Sequence, residues 1–198
     1  MPPVVQPFPF ELDGLGDWLA ASLPMVERKR RTSLEPRKLE LIGPFPAYYL
    51  DARAFTAAGP EGARRTGWRA LARTAKVPVA LVEITLTPGG EPRYATRGRE
   101  AAAAFERALT VVAEADAAEQ RELRWLSLAE LYVTAVWLCG PPHSFVPTRL
   151  GHSRRARSRE LTLEEMQKRV GRLLAGAERS RQREKAGVRF ARPGPGSS

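Results

Sequence analysis

Apolar and polar positions alternate most regularly over residues 77–87. Ala80, Val82, Ile84 and Leu86 fall on one side, while on the other Val79 and Leu81 give way to Glu83, Thr85 and Thr87. A period of two is the signature of a strand. Pro88-Gly89-Gly90 supplies turn residues, and 93–97 reads as the returning strand of a hairpin. After Gly98 the period changes. Ala101 to Ala104 are consecutive, and Phe105, Ala108, Leu109, Val112 and Ala115 recur at helical spacing, which predicts a helix over 99–118. Before the hairpin, Ala47-Tyr48-Tyr49-Leu50 has strand chemistry inside a stretch interrupted by Gly43-Pro44 and Pro46. Residues 56–66 are rich in Gly and Ala and read as a loop, and 68–73 alternate weakly as a strand. After the helix, 122–128 reads as a strand. Residues 129–139 form a short helix or strand buried nearly all round, ended by Gly140-Pro141-Pro142. Phe145-Val146-Pro147 reads as an edge strand, because proline cannot donate to a ladder.

The two ends are patterned differently. Residues 1–9 hold four prolines and read as an extended arm, followed by a short helix around Trp18, Leu19 and Leu23 that Pro24 stops. Arg28-Lys29-Arg30-Arg31 and Arg37-Lys38 read as a solvated basic loop. Near the other end Thr162-Leu163-Glu164-Glu165 matches a capping box, in which Thr162 accepts from the backbone three residues on and Glu165 reaches back. The helix it opens carries one apolar stripe of Leu163, Met166, Val170, Leu173 and Leu174. The stripe is lost beyond Ala177, charge signs then alternate, and 192–198 reads as a disordered end. No internal repeat is visible.

These elements predict an α+β fold, a single small domain with an antiparallel or mixed sheet packed by helices on one face, plus a basic C-terminal helix. The division is 1–38, a proline-rich arm and basic loop; 39–150, the globular domain; and 151–198, a basic linker, amphipathic helix and disordered end. Matching apolar faces predict one core shared by Phe105, Leu109, Val112, Val82, Ile84, Leu86, Trp125 and Val136.

Composition narrows the class. With one cysteine, Cys139, among 198 residues no intrachain disulfide framework exists. No run approaches the ~18 apolar residues of a membrane helix, and the first ten residues lack the basic region and cleavage site of a signal peptide. A cytoplasmic protein is the expectation. The net charge is +10, and residues 151–198 hold 13 basic and 5 acidic residues, +8 of that total. An excess so placed suits a tail that meets something anionic.

Catalytic chemistry is sparse. There is no phosphate loop and no dinucleotide fingerprint. Cys139, His143 and His152 do not have zinc-ligand spacing or number, so no metal is assigned. Cys139–His143 and His143–Ser144 lack a third, orienting member, so no residue is assigned as catalytic. Cys139 is expected to be a packing residue, and Glu83 to lie on the solvated face of the hairpin. No cofactor is expected.

The basic residues carry what signal remains. Arg154, Arg155, Arg157 and Arg159 precede a helix bearing Lys168, Arg169, Arg172, Arg179, Arg181 and Arg183. Such side chains neutralise phosphates, but Phe190 is the only aromatic residue after Phe145, so the tail offers no stacking platform for single strands. The apolar stripe could instead lie on its own domain or enter a partner's groove. The sequence therefore reads as a non-enzymatic interaction module or assembly subunit whose basic C-terminal helix contacts a protein partner or an anionic polymer. A nucleic-acid-binding accessory protein is the first alternative, and an enzyme built around His143 the second.

Overall fold

A computed structural model describes residues 39–74, 77–115, 121–152 and 158–190, together with Leu15, Trp18, Leu19 and Ala21. It is an α+β domain built on one mixed sheet of eight strands: β1 (Glu40–Tyr49), β2 (Arg64–Arg73), β3 (Pro78–Leu86), β4 (Pro92–Arg97), β5 (Glu122–Leu128), β6 (Val133–Cys139), β7 (Ser144–Arg149) and β8 (Leu161–Thr162). It is accompanied by the helices α1 (Ala52–Ala58), α2 (Arg99–Ala115) and α3 (Leu163–Phe190). A 3₁₀ turn, Ala129–Leu131, joins β5 to β6.

The strand order is β4-β3-β2-β1-β5-β6-β7-β8. Neighbours pair antiparallel except at the centre, where β1 and β5 run parallel. A parallel pair needs a crossover, and α2 lies in that connection. The order repeats itself. Each half runs strand, short helical segment, three antiparallel strands, helix: β1-α1-β2-β3-β4-α2, then β5, the 3₁₀ turn, β6-β7-β8-α3. An axis along the strands between β1 and β5 exchanges the halves and turns the sheet over. The sequence hides this repeat because the two halves share topology and not residues.

Turning the sheet over puts helices on both faces. Along β6, Val136 and Leu138 pack under α2 with Phe105, Ala108 and Val112, while Ala135 and Trp137 pack with Phe55 of α1 and Met166 and Val170 of α3. Alternate residues on a strand point to opposite faces, so this half of the sheet is sandwiched. The hairpin half is buried on both sides as well: Leu81 lies under α2, and Val82 and Ile84 meet Leu15 and Leu19 on the opposite face. The single core expected from the sequence is therefore divided. Phe105, Leu109, Val112, Trp125 and Val136 share the α2 face, Val82 and Ile84 belong to the other, and Leu86 is 41% exposed at the end of β3.

Leu15 and Leu19 are buried in the domain, β8 extends the sheet along β7, and residues 163–177 of α3 lie on its core. Residues 52–58, which fall partly in the expected loop, form α1. Asp51 caps it, accepting from the backbone N–H groups of Arg53 and Ala54 at 2.9 and 3.0 Å. The prolines of β1 are tolerated because β5 pairs only with Ala47 to Tyr49, so Pro44 and Pro46 lie where β1 has no neighbour on that side. At Gly67, beside the bulge in β2, φ is +145° and any Cβ would come within 2.0 Å of the Ile84 carbonyl oxygen.

Candidate functional site

Two surface features carry concentrated charge. The first is α3. Its capping box forms as the sequence predicts: Thr162 Oγ1 accepts from the Glu165 N–H at 3.2 Å, and Glu165 returns the bond to the Thr162 N–H at 3.1 Å. Arg159 reaches Glu165 at 2.8 Å, and that bond holds the carboxyl below its ordinary value. Met166 and Val170 are fully buried, with Leu163, Leu173, Leu174 and Ala177 partly buried beside them. Of the two places open to the stripe, its own domain or a partner's groove, these residues lie against their own domain. Gln167 fastens the helix further by donating to the Phe55 and Thr56 carbonyls at the end of α1, at 3.1 and 3.3 Å.

With the apolar side committed inward, the opposite side faces water. Lys168, Arg172, Arg179 and Arg183 are spaced four, seven and four residues apart, so at 3.6 residues per turn they form one ridge. All four are exposed, and among the described residues none is in an ion pair. From 178 to 184 every residue is exposed, so the helix continues beyond its footing on the sheet. Arg169 flanks the ridge and Arg181 points elsewhere on the helix. Arg154, Arg155 and Arg157 lie outside the described residues.

The second feature was not foreseen. A cleft of about 520 Å³ opens on the α2 face of the sheet. Its floor is Arg69 on β2, Glu83 on β3, Trp125 and Ser127 on β5, Thr134 on β6 and Thr148 on β7; the first turns of α2 form one wall. The space exists because α2 presents Ala101 and Ala104 there, whereas Phe105, Ala108 and Val112 fill the core farther along. The alanine run marked the helix in the sequence, and its small side chains leave the gap.

Glu83 is central to this cleft. It stands opposite Arg69 in the β2–β3 ladder, with Arg97 one strand farther out, and one of its oxygens meets both guanidinium groups at 3.2 and 2.6 Å. Its side chain is only 19% exposed, so the expected solvated position is replaced by a nearly enclosed ion-pair cluster. Arg69 is more buried still, at 12%. Burial pushes its guanidinium below the ordinary value, Glu83 opposes that shift, and Arg97 adds to it. Arg69 Nη1 donates to the Trp68 carbonyl at 2.9 Å, while its buried Nε has no partner among the described residues.

At the mouth stands Tyr132, in the left-handed region at φ 54°, ψ 39°, and 51% exposed. A bulky side chain there is conformationally strained. The Arg149 guanidinium lies 5.1 Å from its ring centroid and the His152 ring 4.8 Å away.

His143 and Cys139 lie on the other face. His143 Nδ1 accepts from Trp137 Nε1 at 3.3 Å and from the Gly140 N–H at 3.2 Å, pinning the turn between β6 and β7. Ser144 Oγ is engaged separately by Arg121 at 3.0 Å. Burial pushes the Cys139 thiol up, away from the reactive thiolate. Among the described residues no three His, Cys, Asp or Glu side chains converge as a metal site, and no helix is long and apolar enough to cross a membrane. Comparison with protein families, curated proteins and solved structures finds no match for this chain.

Proposed function

We propose that this protein is a non-enzymatic binding module that holds an anionic polymer, nucleic acid in the first place, along the outer side of α3. The observation that carries the reading is the ridge of Lys168, Arg172, Arg179 and Arg183, whose ends are about 22 Å apart at 1.5 Å per residue. Four cations in a row on a rigid helix suit a backbone of regularly spaced phosphates, for which affinity comes from counterion release and needs no base contact. The inward commitment of Met166 and Val170 favours this over insertion of the stripe into a partner's groove. The test replaces all four ridge residues by glutamine in the full chain and measures binding to duplex DNA and to single strands. Loss of binding with unchanged circular dichroism supports the reading. Undiminished binding transfers the function elsewhere on the molecule.

A further inference from the structure

We infer that the free end of α3 enters the major groove of B-form duplex DNA, with Arg179 and Arg183 toward one phosphate backbone and Arg181 toward the other. This rests on the reading above, that α3 holds a nucleic acid, and names which one and by which groove. The helix has two parts. Over residues 163–177 one side is committed to the sheet through Met166 and Val170, and the cations Lys168 and Arg172 stand on the opposite side. From Glu178 to Glu184 every residue is exposed, so this part is a rod open on all sides. It is tied to the domain at its base, where Glu178 meets Arg53 of α1 at 2.7 Å.

The placement of charge changes where the sheet ends. At 3.6 residues per turn Arg179 and Arg183 continue the ridge, and Arg181, midway between them in sequence, stands on the opposite side of the helix. That side is the line of Val170 and Ala177, apolar while the sheet covers it and cationic beyond. None of the three arginines is in an ion pair among the described residues. Of the two acids in this stretch, Glu178 is matched by Arg53 and Glu184 falls between the two rows. Phosphates on one side only would use the ridge and leave Arg181 in water, whereas a groove walled by phosphates on both sides uses both rows. Dimensions select the groove. A helix with its side chains is about 10–12 Å across, and the B-form major groove is about 12 Å wide and about 8.5 Å deep. The B-form minor groove, at about 6 Å, is too narrow, and so is the deep major groove of an RNA duplex. Gln182, on a flank between the rows, can hydrogen-bond base edges.

The experiment measures binding of the full-length protein to a DNA duplex, an RNA duplex and a DNA single strand of one sequence by fluorescence anisotropy. Methyl green serves as a major-groove competitor and netropsin as a minor-groove competitor. The DNA duplex should bind roughly tenfold more tightly than either other form. Methyl green should displace the protein and netropsin should not. Arg181→Gln, at an exposed position, should weaken binding to the DNA duplex and make its salt slope shallower by about 1, with binding to the RNA duplex unchanged. Arg181→Gln binding as the wild type does while the four-glutamine ridge variant loses binding, displacement by netropsin alone, or equal affinity for the two duplexes would each overturn the groove and leave the ridge standing. Undiminished binding of the DNA duplex by the ridge variant would remove the ridge reading itself, and the groove with it.

Discussion

Glu83 holds two arginines of unequal exposure, 12% for Arg69 and 63% for Arg97, and the difference sets what each is worth. Glu83→Gln leaves a buried guanidinium without its counter-charge and should cost about 1–3 kcal/mol. Arg97→Gln removes only a solvent-screened partner and should cost less than about 1 kcal/mol. Urea denaturation of both variants checks the order, and a larger loss for Arg97→Gln would contradict it. Glu165 allows a test against pH. Its carboxyl is held low first by Arg159 and then by the Thr162 N–H, so the charged form is the one the fold favours. Its contribution is fully present above the ordinary carboxylate value and is lost as pH falls from there through the lowered value of the folded state. Wild type should therefore exceed Glu165→Gln in stability at neutral pH, and the gap should close in acid. A gap independent of pH would mean that the carboxylate charge contributes nothing to the cap.

At the scale of elements, α2 and β3 tell how far pattern reading reaches. Phe105 lies edge-on to Phe45 and Trp125, at 5.4 and 5.2 Å between ring centroids, in the middle of the α2 face. Phe105→Ala should cost about 3–5 kcal/mol. Leu86→Ala, at a half-open strand end, should fall within about 1 kcal/mol. Thermal melts of the two variants check this, and equal losses would contradict the packing. Both elements were legible because their periodicity is local. The pairing of their faces was not: period two shows that Val82 and Leu81 point apart, yet a sheet covered on both sides gives each face an apolar row, and sequence alone does not say which row meets which helix. The same limit hid the cleft. Arg69, Glu83 and Arg97 look like ordinary polar breaks in separate strands, and only the β2–β3–β4 register makes them neighbours. The capping box at Thr162 was legible because its chemistry closes within four residues. The comparable signal at Asp51, an acceptor just ahead of a short Ala-rich run, was present and weaker, with a seven-residue helix behind it.

On the scale of the whole molecule, the net charge of +10 has a geometry that counting does not give. The repeated topology places α2 and α3 on opposite faces, so the cleft under α2 and the ridge on α3 point away from each other. A polymer along α3 would leave the cleft open. The central claim is that the ridge meets phosphates, and the measurement that tests it most directly is the salt dependence of duplex DNA binding for the wild type and the four-glutamine ridge variant. Each neutralised phosphate contributes about −0.9 to the slope of log affinity against log salt. If all four ridge cations contact phosphates, the variant's slope should be shallower than the wild type's by about 3–4. Equal slopes for the two proteins, or wild-type binding that does not weaken as salt rises, would contradict the account.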